Sequence, residues 1–242
     1  MVQIEVCFSP LLFPVKTIQH PYILVVADIL RATTTMCTAF EYGVNKIIPV
    51  SSLDEARKYK ALGYIIAGER DGNILDFADI GNSPAAFISG DYSGKSVVFT
   101  TTNGTVALNL SNQATEVVLG AFSNLSVLGK YLLQKAVNGM NVMILCSGWY
   151  QQFSLEDAVF AGALSEKLLS SGLFSENCDS VKAGIDLWQQ ARTNLHDYFR
   201  KASHLQRLIS LGQAQDLEYC FTIDTVNVVP CLKDGVLLSN RL

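Results

Sequence analysis

A three-layer α/β arrangement, with helices on a largely parallel or mixed sheet, is the fold the sequence predicts, and three observations predict it. Runs of Val, Ile and Leu recur along the 242 residues with helical spacing between them, the pattern of strands buried on both faces and joined by crossover helices. Several runs end in polar or charged residues just ahead of a helix start, as strands do where an open α/β sheet binds its ligand. Beyond residue 179 the character changes to a long helical stretch and then a hairpin pattern.

Taken in order, the apolar runs place strands at residues 4–8, 23–28, 46–50, 65–67, 96–100, 116–119 and 142–146. Helices start at Thr33, Ser52, Thr105, Asn124 and Ser154. Ser52 and Glu55 spell a capping box, in which each side chain accepts a backbone N–H that the first turn leaves orphaned. Ile80-Gly81-Asn82-Ser83-Pro84 turns into a further helix, with Asn82 or Ser83 as the cap. From residue 179 through Leu211, apolar side chains such as Ile185, Trp188, Leu195, Phe199, Leu205 and Leu208 keep near-helical spacing, with a break at Thr193-Asn194. Residues 226–230 and 235–238 flank Lys233-Asp234-Gly235, a turn that spells a β-hairpin. No low-complexity linker interrupts the chain, so residues 1–242 are expected to form one unit with a helical C-terminal part.

Composition narrows the function. With 49% apolar and 17% charged residues the chain has the makeup of a folded globular protein. A formal charge of −4 argues against the broad basic face that nucleic-acid binding needs. The N-terminus lacks the basic start and apolar core of a signal peptide, and the longest apolar run, residues 22–30, is broken by Asp28 and too short to span a membrane. A cytoplasmic location is expected. Six scattered cysteines without a CxxC pair read as reduced thiols. Whether the chain forms a homo-oligomer is left open.

The chemistry concentrates at the strand ends. Val26-Ala27-Asp28-Ile29-Leu30-Arg31-Ala32-Thr33-Thr34-Thr35 carries an apolar run into a carboxylate, a guanidinium and three hydroxyls at a helix start. Asp28 suits a cation, while Arg31, Thr33, Thr34 and the helix amides suit an anion. A helix-capping Asp with Arg31 as its ion-pair partner is the structural alternative. Gly68-Glu69-Arg70-Asp71-Gly72 again sets acids and a guanidinium between glycines, which is also common in surface turns. Thr100-Thr101-Thr102-Asn103-Gly104-Thr105 offers hydroxyls, an amide and a backbone nest to anionic oxygens, against the alternative of an edge strand with an Asn-Gly turn. Ser154-Leu155-Glu156-Asp157 puts two acids in a helix first turn, where the dipole alone would stabilise them. The turns after residues 28, 100 and 146 are expected to line one edge of the sheet.

Some mechanisms fall away. A cysteine phosphatase needs an Arg six places past its Cys, where Cys146 has Gln152. Gly90-Asp91-Tyr92-Ser93-Gly94-Lys95-Ser96 is one residue too short for a P-loop and precedes a strand. An aspartyl-phosphate phosphatase wants an Asp two residues past the nucleophile, where Leu30 stands. His20, His196 and His204 do not cluster in sequence, which gives a Ser-His-Asp site no support.

Five of these segments in order, the Asp28 to Thr35 run, Gly68-Glu69-Arg70, Gly81-Asn82-Ser83-Pro84, the Thr100 to Thr105 run and Ser154-Leu155-Glu156-Asp157 with Ala161-Gly162, resemble the 2-phosphosulfolactate phosphatase family, as does His204-Leu205-Gln206-Arg207-Leu208. The resemblance implies an α/β hydrolase that uses Mg²⁺ to remove phosphate from 2-phospho-3-sulfolactate, a small substrate with three anionic groups. On that reading Asp28 and Asp157 are the preferred metal ligands or base, with Glu69 and Glu156 next. Arg31, Arg70 and Asn103 would stabilise the phosphoryl group, and Thr33, Thr34, Thr101, Thr102, Gly104 and Thr105 would help to cradle the substrate. The chain departs from the family pattern at Val106, where an Arg commonly follows, at Leu75-Asp76-Phe77, and at Trp149 to Gln152, which lacks a glycine. Another phosphorylated hydroxy acid as substrate, or a non-catalytic anion-binding protein, are the alternatives.

Overall fold

A computed structural model of the chain describes residues 1–101, 114–176 and 178–240. Its strands are β1 (Val2–Cys7), β2 (Tyr22–Ala27), β3 (Lys46–Pro49), β4 (Ile65–Arg70), β5 (Asn73–Ile74), β6 (Ser96–Thr100), β7 (Glu116–Gly120), β8 (Asn141–Cys146), β9 (Phe174–Glu176), β10 (Val229–Lys233) and β11 (Val236–Asn240). The helices are α1 (Ala32–Glu41), α2 (Leu53–Ala61), α3 (Pro84–Ser89), α4 (Leu125–Val137), α5 (Leu155–Leu169), α6 (Asp179–Ala191), α7 (Leu195–Phe199), α8 (Ser203–Ser210) and α9 (Leu217–Cys220). The helix start expected at Thr105 lies outside the described residues.

These strands form one mixed sheet in the order β5-β4-β6-β3-β11-β10-β7-β2-β8-β1-β9. Two parallel sets make it up. β7, β2, β8, β1 and β9 run one way, and β4, β6 and β3 form the other set. The C-terminal hairpin β10–β11 is inserted between them, antiparallel to β7 on one side and to β3 on the other. Three antiparallel pairings in succession reverse the direction, so β6 and β4 run opposite to β2 and β8 along the sheet. The expectation of a single shared edge is therefore corrected. Twist of about 20–25° per strand pair accumulates from β2 across the hairpin to β6, and the carboxyl ends of β2, β8, β4 and β6 nevertheless meet around one cleft.

Period-two alternation on fully buried strands fills both faces. Ile23, Val25 and Ala27 of β2 enter a core with Leu128 and Leu132 of α4 and Phe160 and Leu164 of α5. Tyr22, Leu24 and Val26 face the other way, onto Met36 and Phe40 of α1 and Phe87 of α3. A smaller cluster of Val50, Ala56, Ile66 and Val98 seats α2. The expected caps are present at Ser52, whose hydroxyl accepts from Glu55 N, and at Ser83, which accepts from Ala86 N at 3.3 Å. The break at Thr193-Asn194 separates α6 from α7, where Asn194 Oδ1 accepts from Asp197 N. α5 and α6 touch backbone to backbone, since a Cβ on Gly162 would lie 1.9 Å from the Gly184 carbonyl oxygen. Among the described residues no helix is long and apolar enough to cross a membrane.

Leu237 of β11 is fully buried and pairs with Ile47 of β3. Leu237→Ala is expected to cost about 2–5 kcal/mol through reduced burial and the cavity left behind. Urea denaturation would show this as a lower midpoint, and an unchanged midpoint would mean that the hairpin does not hold the two strand sets together.

Candidate active site

The turn after β2 is tied down by its own side chains. Thr33 Oγ1 accepts from Asp28 N at 3.0 Å and lies 2.9 Å from the Asp28 carbonyl oxygen and 2.8 Å from that of Gly120. Thr34 Oγ1 donates to the Ile29 carbonyl at 2.9 Å. Both hydroxyls are thus engaged with backbone, and neither residue lines the cleft. The helix amides are engaged too, because Ala32 N donates to Asp28 Oδ1 at 3.1 Å and Thr33 N to the Asp28 carbonyl at 3.0 Å. Asp28 therefore caps α1 and also lines the cleft. The anion-binding role expected of Thr33, Thr34 and the α1 start is not what this geometry provides.

Arg31 is buried and turns away from Asp28. One terminal nitrogen donates to Asp216 Oδ2 at 2.5 Å and the other to Gln213 Oε1. The second oxygen of Asp216 accepts from Ser83 Oγ at 2.9 Å and Ala85 N at 3.4 Å. One carboxylate thus holds the cleft rim together at the α1 turn, the α3 start and the segment after α8. Arg31→Met would leave Asp216 buried without its counter-charge, a change that typically costs about 3–5 kcal/mol. Thermal melts should show that loss at neutral pH, and a variant as stable as the parent would refute it.

Glu69 and Arg70, adjacent on β4, cannot both face the cleft, because successive strand side chains point to opposite faces. Glu69 lines it and accepts from Gly72 N at 2.7 Å. Arg70 does not; its nitrogens donate to the Glu69 carbonyl at 2.6 Å, Ser51 carbonyl at 3.2 Å and Thr100 Oγ1 at 2.8 Å. Besides Arg31, Arg207 of α8 lines the cleft; it donates to the Asp71 carbonyl at 2.6 Å and lies 5.2 Å from the centre of the Trp149 ring. Thr101 lines the cleft. Thr102, Asn103, Gly104 and Thr105 lie outside the described residues.

Asp157 bridges two turns. Its Oδ1 accepts from Ile29 N at 2.8 Å and its Oδ2 from Gly148 N at 3.0 Å. Gly148 is required there, with φ +65° and a Cβ position only 1.9 Å from the Gln152 carbonyl oxygen. Asp157 does not line the cleft, so the expectation of a metal ligand or base at Asp157 gives way to a brace. Its neighbour Glu156 is buried with Oε2 unpartnered.

Electrostatics single out the acids. Burial pushes the Asp28 carboxyl up to about 7, helped by the charges of Glu69 and Glu156 and opposed by the Ala32 N–H and Arg31. Burial also raises Glu156, and raises Asp157 strongly with Glu156 and Asp28 adding repulsion. Asn82 lines the same cleft with its Oδ1 buried and unpartnered. His204, from α8, lines the cleft as well; sequence spacing did not bring it to the site, and the turn of that helix carries it and Arg207 inward. The cavity at the floor of the cleft is small, about 30 Å³.

Strand ends and helix starts that enclose acids beside a guanidinium define an α/β enzyme site. The family model described as 2-phosphosulpholactate phosphatase matches residues 7–235, and the chain belongs to that family. A relative from Caldanaerobacter subterraneus, named as a probable 2-phosphosulfolactate phosphatase, is 36% identical over 90% of each chain. Relatives with the same name from Gloeothece citriformis, 38% identical over 90% of this chain and 92% of theirs, and from Synechocystis, 36% identical over 98% and 100%, agree. The chain is a hydrolase of the phosphatase class.

Because Asp28 is raised, between about pH 4 and 7 the folded chain keeps a proton that the unfolded chain has released. The stability this contributes is fully present below about pH 4 and lost as pH rises through 7. Asp28→Asn is expected to shrink the fall in unfolding free energy between pH 5 and 8, measured by urea denaturation; an undiminished fall would contradict the placement of Asp28.

Proposed function

We propose that the chain is a magnesium-dependent phosphatase that hydrolyses 2-phospho-3-sulfolactate to 3-sulfolactate and phosphate. The observation that carries this is the surplus of buried acid in a cleft of a phosphatase-family chain: Asp28 and Glu69 line it, with Glu156 near enough to raise Asp28. Carboxylates repel an anionic ester, so such a cleft suits one only with a cation between them.

The donor set fits Mg²⁺, which takes oxygen ligands and keeps several of its waters, so one or two carboxylates suffice. Among the described residues no three His, Cys, Asp or Glu side chains form a ready-made cage. Asp28 and Glu69 would hold the ion, with the unpartnered Oε2 of Glu156 as a further acceptor for it or its waters. When bound, Mg²⁺ supplies positive charge that neutralises phosphoryl oxygens and activates water. Arg207 binds anionic oxygens of the substrate, Thr101 and Asn82 supply polar contacts, and Trp149 walls the cleft from solvent. Arg31 acts at one remove by fixing the rim through Asp216. The catalytic work of these residues is position and charge, the main requirements of phosphoryl transfer. The partner is a small anion, without nucleic acid or membrane, in the cytoplasm.

A second reading, the same chemistry on another phosphorylated hydroxy acid, is favoured by one sequence observation, Val106 where the family pattern has an Arg. Phosphate release from 2-phosphosulfolactate and a panel of phosphorylated hydroxy acids, with Mg²⁺ and with chelator, tests both. Mg²⁺-dependent release from the sulfonate supports the first reading, release confined to another acid supports the second, and release unaffected by chelator refutes the metal. Asp28→Asn is expected to abolish turnover without lowering Tm at pH 8, since it removes a repelled buried charge. Mg²⁺ should raise the parent's Tm and leave that of Asp28→Asn unmoved.

A further inference from the structure

The cleft also holds an uncharged acceptor whose state is fixed from its far side. His204 Nε2 lies 2.9 Å from the Leu30 carbonyl oxygen. A carbonyl only accepts, so Nε2 carries the proton and Nδ1 keeps a free lone pair. Nδ1 is buried without a partner. The ring is held against Trp149, with centroids 5.6 Å apart and planes at 31°, and both residues line the cleft with Asp28. Burial, with Arg207 and Arg31 nearby, lowers the imidazole pKa to about 4 and keeps the ring neutral.

A donor is therefore missing at the free edge of this ring. Ionised phosphate, sulfonate and carboxylate groups have no proton to donate, so the substrate itself does not fill the place. Water does. We propose that His204 is a catalytic residue of the hydrolysis, its Nδ1 accepting a hydrogen bond from the water that attacks phosphorus and aligning that water for the attack; the assignment rests on the phosphatase reading above. The water oxygen forms the new P–O bond while the ester P–O bond breaks, its electron pair leaving with the ester oxygen. One water proton ends on that oxygen to give the alcohol, the other stays with phosphate, and His204 finishes in the tautomer in which it began.

Two variants separate this role from a structural one. In His204→Gln the amide nitrogen is as many bonds from Cβ as Nε2, so the hydrogen bond to the Leu30 carbonyl is kept and nothing stands at the Nδ1 place. In His204→Asn the amide oxygen is as many bonds from Cβ as Nδ1, so the acceptor is kept while the side chain no longer reaches the Leu30 carbonyl. With the best ester of the panel, His204→Gln is expected to lower kcat about a hundredfold with KM within about twofold, and His204→Asn to retain about ten times more kcat than His204→Gln. A His204→Gln variant as active as His204→Asn, or an effect confined to KM, overturns the assignment. If a variant fails to fold, the ¹⁵N spectrum of the parent at neutral pH decides: a protonated Nε2 with bare Nδ1 supports the proposal, and a protonated Nδ1 overturns it. A parent that releases phosphate from no ester defeats the phosphatase reading itself, whereas an active parent with undiminished His204→Gln defeats only the role of His204.

Discussion

Ile29 N–H, from the turn after β2, and Gly148 N–H, from the turn after β8, are accepted by the two oxygens of Asp157, and the cleft is built outward from that clamp. Asp28 stands one residue before Ile29 and Trp149 one residue after Gly148, so a single side chain sets the spacing between an acidic wall and an aromatic one. Thr33 closes the same turn through hydrogen bonds with the backbone of Asp28 and Gly120. Most polar groups around the turns are thereby satisfied within the protein. Asn82 Oδ1, Glu156 Oε2 and His204 Nδ1 are among the exceptions, as are the hydroxyls of Thr35 and Ser147. The first three are acceptors at or beside the cleft, where donors or a cation would satisfy them.

The distribution of guanidinium groups sharpens this. Arg31 is spent on Asp216 and Gln213, and Arg70 on carbonyls and a threonine hydroxyl. Neither forms an ion pair with Asp28; the charge of Arg31 offsets its repulsion from Glu69 and Glu156 only in part. Such an arrangement costs stability in the empty protein and is the kind of strain that functional sites retain.

Most strands were legible because full burial leaves a dense signal: the run at residues 96–100 is β6 as observed, and the run at 142–146 is β8 less one residue. The two- and three-residue edge strands β5 and β9 were not, being too short for periodicity to register. The hairpin was expected at residues 226–230 and 235–238 and lies at Val229–Lys233 and Val236–Asn240. Its place in mid-sheet was invisible, since pairing partners are not encoded in local pattern. Within the site, Asp28 and Glu69 could be read from strand ends and glycines. Arg70 misled because its neighbour Glu69 had already taken the inward face of the strand. His204 and Arg207 could not be placed from spacing alone, because an amphipathic helix does not say which pocket it covers.

Lys46 pairs with Leu238, and Val117 with Leu232. Pairings this distant along the chain make folding slow, since the loop must close before the strands reward it. During synthesis β3 and β7 wait for β10 and β11 to emerge, each with an open edge able to capture another chain. The hairpin that completes the sheet therefore sets a timetable as well as a shape: until residue 240 has left the ribosome, two half-sheets must be kept apart from their neighbours.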